Sequence, residues 1–228
     1  MTINPSLYEK TSYDPVKDLA PISVAIFTPS ILVVNNGVAA KNVQELIALA
    51  RSQPGKLTYG HAGIGTPAHL SGELFKSLAG VDIMPVPYRG IPAMLPDLLA
   101  GRLTMTLPNM SVVLPLVREG KLRALAAISP TRATAAPQLP TAAEQGLPGF
   151  DVPIWFGLMG PAGTPQALID KLHQETVRAL TASDVRKRLG EAGLEVVANK
   201  PTEFAAVIKA ELPRWAKLIK DAGLKVSE

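Results

Sequence analysis

Apolar runs in the middle of the chain alternate with helical patterns, and each helical pattern closes on a glycine. Residues 57–59 form an apolar run that leads into a loop of Gly60, His61, Ala62, Gly63, Ile64 and Gly65. The spacing predicts a helix over 66–79 that stops at Gly80. A second run at 83–86 leads into Pro87, Tyr88, Arg89 and Gly90, and the helix that follows stops near Gly101. A third run at 103–107 leads into Pro108, Asn109, Met110 and Ser111, and its helix stops at Gly120. Residues 122–128 are the next strand. A terminating glycine suits the left-handed position just past a helix. Strands alternating with helices predict an α/β fold with right-handed crossovers and a parallel sheet. The strand at 122–128 is apolar almost throughout, as expected where both sheet faces are covered.

In such a sheet the three strand-to-helix loops leave from the carboxyl edge, where open α/β folds bind ligands. Thr66 is placed to cap its helix with Pro67 in the first turn, and Pro92 is similarly placed after Gly90 and Ile91. Leu70, Leu74 and Leu78 are expected on the core face of the first of these helices. A helix start offers unpaired N–H groups and a positive dipole end, which suits a carboxylate. The Gly63, Gly65, Thr66 stretch is neither a phosphate-binding Walker loop nor a dinucleotide fingerprint. No Gly-Lys-Ser/Thr follows it, and the third glycine is missing.

Composition narrows the functional classes. The 228 residues are 47% hydrophobic and 18% charged, which describes a globular chain with a real core rather than a disordered one. A net charge of +4 is mild. The densest basic cluster, Arg186, Lys187 and Arg188, falls in a helical pattern and reads as a solvated face, so no nucleic-acid partner is expected. No cysteine is present, which excludes disulfides and thiolate chemistry. The longest apolar stretch, 21–34, is interrupted by Ser23, Thr28, Pro29 and Ser30 and is too short to span a bilayer. The first residues lack the charged and apolar regions of a secretion signal. Three histidines without a His-Glu-x-x-His pattern, and no Gly-x-Ser-x-Gly elbow, give no metal site, no cofactor and no catalytic set.

Several segments, in order and spacing, carry a resemblance over essentially the whole chain. They are Gly63, Gly65 and Thr66 with His69, Leu70, Gly72, Glu73, Leu74 and Phe75; Val86 through Gly90; Gly120, Lys121, Leu122, Arg123, Ala124, Leu125 and Ala126; Leu139, Pro140, Thr141, Glu144, Gly146 and Leu147; and Trp155, Phe156 and Gly157 with Pro161, Ala162, Gly163, Thr164 and Pro165. Together they resemble the solute-binding proteins of tripartite tricarboxylate transporters, the Bug/TctC-like family. The resemblance implies a periplasmic-binding-protein-like (type II) two-domain fold with parallel-rich sheets that closes over its ligand. It implies a contiguous α/β ligand-binding domain at 38–150, and a split second domain from 1–37 plus 151–228. Segments 21–34 and 155–160 would be the crossings between them. It also implies a periplasmic location, a small organic mono- or dicarboxylate as ligand, and membrane permease subunits as partner.

This sequence begins at a point resembling the family's Thr-Ile-Asn-Pro segment. The first domain is therefore expected to be incomplete at its N-terminus, without the family's glycine- and proline-rich carboxylate loop. Three further departures stand out. His61 occupies a position where the family has a small residue, Pro108 precedes Asn109, and Pro213 is expected to kink the last helix. The candidate ligand residues are His61, Ala62, Gly63, Gly65, Thr66, His69, Tyr88, Arg89, Gly90, Asn109, Trp155 and Phe156. Arg89 is suited to a bidentate carboxylate pair. Asn109 also suits a turn, Trp155 and Phe156 also suit hinge packing, and Thr141 with Glu144 reads as a structural capping box. Binding rather than turnover is expected. An effector-sensing domain of the kind found in LysR-like regulators, and an enzyme acting on a carboxylate, are the alternatives.

Overall fold

A computed structural model describes residues 1–226. The elements in chain order are α1 (Asn4–Leu7), β1 (Leu19–Thr28), β2 (Ser30–Asn35), α2 (Val43–Ser52), β3 (Thr58–His61), α3 (Pro67–Ala79), β4 (Met84–Pro87) and α4 (Ile91–Leu99). They continue as β5 (Met105–Thr106), α5 (Met110–Arg118), β6 (Leu122–Ile128), β7 (Ile154–Pro161), α6 (Gln166–Thr181), α7 (Ser183–Glu191), β8 (Glu195–Val196) and α8 (Pro201–Asp221). The chain divides into a contiguous unit, Thr28–Ile154, and a discontinuous one made of Met1–Phe27 and Trp155–Glu228. The first boundary thus falls ten residues before the one expected at 37/38, because β2 is a strand of the contiguous unit's sheet.

The contiguous unit is a five-stranded sheet in the order β4-β3-β5-β2-β6. β3 pairs in parallel with β4 and β5, whereas β2 runs antiparallel to both β5 and β6. The sheet is therefore mixed, not purely parallel: β3, β4, β5 and β6 share one direction and β2 opposes them. β2 explains its own apolar run. Ile31, Leu32, Val33 and Val34 are all fully buried; Leu32 and Val34 pack into one core cluster, and Ile31 and Val33 into the other. Alternate residues point to opposite faces, so a central strand covered on both sides needs no polar face. The first cluster is closed by α2 and α3, the second by α4 and α5.

α3 shows where the periodicity misleads. Leu70 is buried and Leu74 packs against the core, but Leu78 is exposed. Residues spaced by four advance about 40° around a 3.6-residue helix at each step, so the Leu70–Leu74–Leu78 row winds off the core. Phe75 and Ala79 take the inner face instead. Gly72 lies against Tyr59 so closely that a Cβ there would sit 2.2 Å from the ring.

In the discontinuous unit β1 lies between β7 and β8 and pairs with β8 antiparallel. Val24, Phe204 and Ile208 form its core cluster, with Trp155 edge-on to Phe204 at 5.0 Å. Glu211, almost fully buried, is held by three donors: the Thr2 hydroxyl at 2.7 Å, the Trp155 indole at 2.8 Å and the Trp215 indole at 3.4 Å. α8 runs unbroken through Pro213. α7, which carries Arg186, Lys187 and Arg188, buries none of its residues, in keeping with a solvated face. No helix among the described residues is long and apolar enough to cross a membrane.

Candidate functional site

The shared direction of β3, β4 and β5 brings the starts of α3, α4 and α5 to one edge of the sheet. The amino end of β2 arrives there too. Ile31 N–H donates to Pro108 O at 3.0 Å and Met110 N–H to Pro29 O at 2.8 Å, so Ser30 and Asn109 lie side by side. None of α3, α4 and α5 has a side-chain cap or an acidic residue in its first turn. α2 begins at the opposite edge, and there Asn42 caps the helix and Glu45 sits in the first turn. This edge therefore carries three positive dipole ends that no side-chain cap or first-turn acid offsets among the described residues.

Thr66 occupies the N-cap position of α3 but does not cap it. Its hydroxyl donates instead to Gly63 O at 2.7 Å. The Gly65 amide is also committed, to His69 Nδ1 at 3.1 Å, and the Thr66 amide reaches Gly63 O at 3.3 Å. Leu70 N–H is the first amide bonded back to the cap, to Thr66 O at 3.0 Å. Pro67 has no N–H, so Ala68 and His69 carry the amides left without an acceptor among the described residues. The amides this turn offers to an anion are therefore those of Ala68 and His69. Gly63 and Gly65 adopt φ of +127° and +74°, which explains why glycine stands at both.

His61 and His69 are both buried and stack at 4.3 Å with 23° between planes. Gly63 N–H donates to His61 Nδ1 at 3.2 Å. Burial lowers both imidazoles, and the neighbouring His61 helps lower His69 to about 4. Behind them the Tyr59 hydroxyl donates to Glu73 at 2.6 Å, and Lys76 closes on the same carboxylate at 3.0 Å. Burial, with Glu73 beside it, pushes the Tyr59 phenol up.

The remaining candidates divide. Ala62 is half-buried on the β3 loop. Tyr88 lies on the next loop with its hydroxyl donating to Asp97 at 2.9 Å, and Asp97 also accepts from Arg102. Arg89 is exposed, and Gly90, at φ +99°, is the N-cap of α4. Asn109 is the N-cap of α5, with its side chain free of a capping bond. Trp155 and Phe156 belong to the other unit. There the Trp155 indole is tied to Glu211, and Phe156 is 56% exposed. Thr141 and Glu144 exchange reciprocal bonds of 2.7 and 3.1 Å, closing a turn rather than a helix.

Sequence reasoning passed over Thr28 and Ser30. Both are buried at this edge with hydroxyls that find no partner among the described residues, an expensive state for a buried polar group. Their signal was the polar interruption of the 21–34 run. Ile64, 53% exposed at the loop tip, was also passed over. No cluster of three or more metal-ligating side chains occurs among the described residues.

The architecture is that of a periplasmic-binding-protein-like two-domain α/β fold with mixed sheets, and it matches solved structures throughout. An R. palustris protein solved with adipate superposes with a TM-score of 0.83 at 35% identity, covering 96% of this chain and 74% of that one. The periplasmic binding protein BugD gives 0.82 at 31% identity, covering 99% and 76%. The family model described as tripartite tricarboxylate transporter family receptor, TctC, matches residues 1–224. A protein from the tcbD-tcbE intergenic region of Pseudomonas sp. (strain P51) is 34% identical over 229 residues, spanning 100% of this chain and 68% of its own length. The chain belongs to the TctC family of solute-binding receptors.

Proposed function

We propose that this chain binds a small organic mono- or dicarboxylate in the periplasm and hands it, unchanged, to the membrane permease of a tripartite tricarboxylate transporter. One observation carries the reading: three helices start at one sheet edge with neither a side-chain cap nor a first-turn acid, while α2, which starts at the other edge, has both. Such an edge favours an anion through aligned amides and dipoles. One carboxylate would meet the Ala68 and His69 amides. Asn109, Ser30 and Arg89 are suited to the remaining oxygens. Family membership and the relative solved with adipate agree with a small carboxylate ligand.

Thermal-shift screening of adipate, glutarate, citrate, aspartate, glutamate and aromatic acids, with chloride and phosphate as controls, tests the reading. Stabilisation by a subset of the carboxylates, with the ligand recovered intact, is the expected outcome. Stabilisation by none of them, or conversion of a bound acid into product, contradicts it.

A further inference from the structure

The stacked histidines do more than line the loop. The Gly63 amide donates to His61 Nδ1 at 3.2 Å and the Gly65 amide to His69 Nδ1 at 3.1 Å. Both Nδ1 atoms must therefore carry a lone pair, which places the hydrogen of each neutral ring on Nε2. A proton added at Nδ1 would turn each acceptor into a donor aimed at a donor. It would also set two cations face to face at 4.3 Å. Since the Gly63–Gly65 turn leads directly into the Ala68 and His69 amides, its position sets theirs.

We propose that His61 and His69 are positioning residues that hold the Gly63–Gly65 loop through their Nδ1 atoms, so that the loop is assembled only while both imidazoles are neutral. The inference rests on the reading of this edge as the ligand site. The groups around the pair are few. β3 supplies Tyr59, whose ring lies 5.9 Å from that of His61 and 6.3 Å from that of His69. α3 supplies Glu73, which favours protonation of both rings, and Lys76, which opposes that of His69. The segment after β4 touches His61 through the Tyr88 amide, which donates to His61 O at 2.9 Å. That segment brings the Tyr88 hydroxyl, already committed to Asp97, and the exposed Arg89. β5 contributes Thr106, bonded to Gly60 O and without charge.

The sign follows from burial. Folded-state values lie below the ordinary 6.5 for both rings, so the unfolded chain binds the extra protons. The loop is complete above 6.5, weakens as pH falls, and is lost as pH approaches about 4 for His69. Coulomb attraction alone predicts the opposite for an anion site, since protonated histidines would bind an anion more tightly.

The test needs no ligand. Long-range ¹H–¹⁵N spectra of the intact chain at neutral pH should show the Nε2–H tautomer for both rings. Hydrogen-exchange protection at Gly63 and Gly65, corrected for intrinsic rates, should fall about tenfold or more on acidification while core amides such as Val33 hold. In His61→Asn the side-chain Oδ1 replaces Nδ1 as an acceptor that does not titrate. Loss of protection at Gly63 and Gly65 then follows His69 alone, and its midpoint rises because the cationic neighbour is gone. An Nδ1–H tautomer, or protection at both glycines that stays flat through the histidine titration, overturns the proposal. The wild-type tautomer decides even if the variant fails to fold. Failure of carboxylate binding with the tautomers as expected would refute the ligand reading and leave the loop device standing.

Discussion

Gly72→Ala sets two rules against each other at one atom. Gly72 is inside α3, where alanine is ordinarily better than glycine by about 1 kcal/mol. Here a Cβ would lie 2.2 Å from Cε2, 2.4 Å from Cζ and 2.6 Å from Cδ2 of Tyr59. Restoring van der Waals contact requires the ring or the helix to move by about 1.3 Å or more. Tyr59 is fully buried, and its hydroxyl is fixed on Glu73 at 2.6 Å, so the ring cannot retreat without drawing that bond apart. Overpacking costs about 1–3 kcal/mol, and a lost bond to a charged group about 1.5–3 kcal/mol. Set against the propensity gain, the variant should be less stable by about 1.5–5 kcal/mol. Urea unfolding followed by far-ultraviolet circular dichroism measures it. Removing the ring in Tyr59→Leu should make the alanine far less costly, a coupling that a double-mutant cycle isolates. Unchanged or increased stability of Gly72→Ala, or no coupling with Tyr59→Leu, would refute the steric reasoning.

Glu211→Leu leaves the Thr2 hydroxyl and the Trp155 and Trp215 indoles without their shared acceptor, at about 1–3 kcal/mol for a stranded buried donor. Both tryptophans of the chain touch Glu211, so the midpoint of fluorescence-monitored unfolding should drop, and an unmoved midpoint contradicts the network. Asp97 is held below the usual carboxylate range first by Arg102 and then by Tyr88. The Tyr88–Asp97–Arg102 contact should therefore be whole above the ordinary value of 3.8 and lost as pH falls through the depressed one. Asp97→Asn should abolish that acid step in the Tyr88 ring resonances, and its persistence in the variant would assign the step to another group.

The sequence made the strand-loop-helix alternation legible because each unit carries its own punctuation: an apolar run, a turn, a helical pattern, a glycine. Gly80, Gly101 and Gly120 all adopt the positive φ that this reading needs. The direction of β2 was not legible. Its four consecutive apolar residues say that both faces are covered, and that is equally true of a parallel and an antiparallel central strand. The unit boundary moved with it, since β2 was read as part of a crossing. At the site, Gly63, Gly65 and Thr66 were legible as a turn before a helix. The use of the Thr66 hydroxyl was not, because capping α3 and bracing Gly63 O are alternatives for the same atom. The pairing of His61 with His69 depends on the register between β3 and the first turn of α3, which side-chain periodicity does not encode.

The most direct test of the anion edge is amide chemical-shift mapping with the carboxylate that stabilises the chain best. The account predicts saturable shifts at Ala68 and His69, together with residues at the starts of α4 and α5, and none at the capped start of α2. Saturable shifts centred elsewhere, with Ala68 and His69 unmoved, would contradict it.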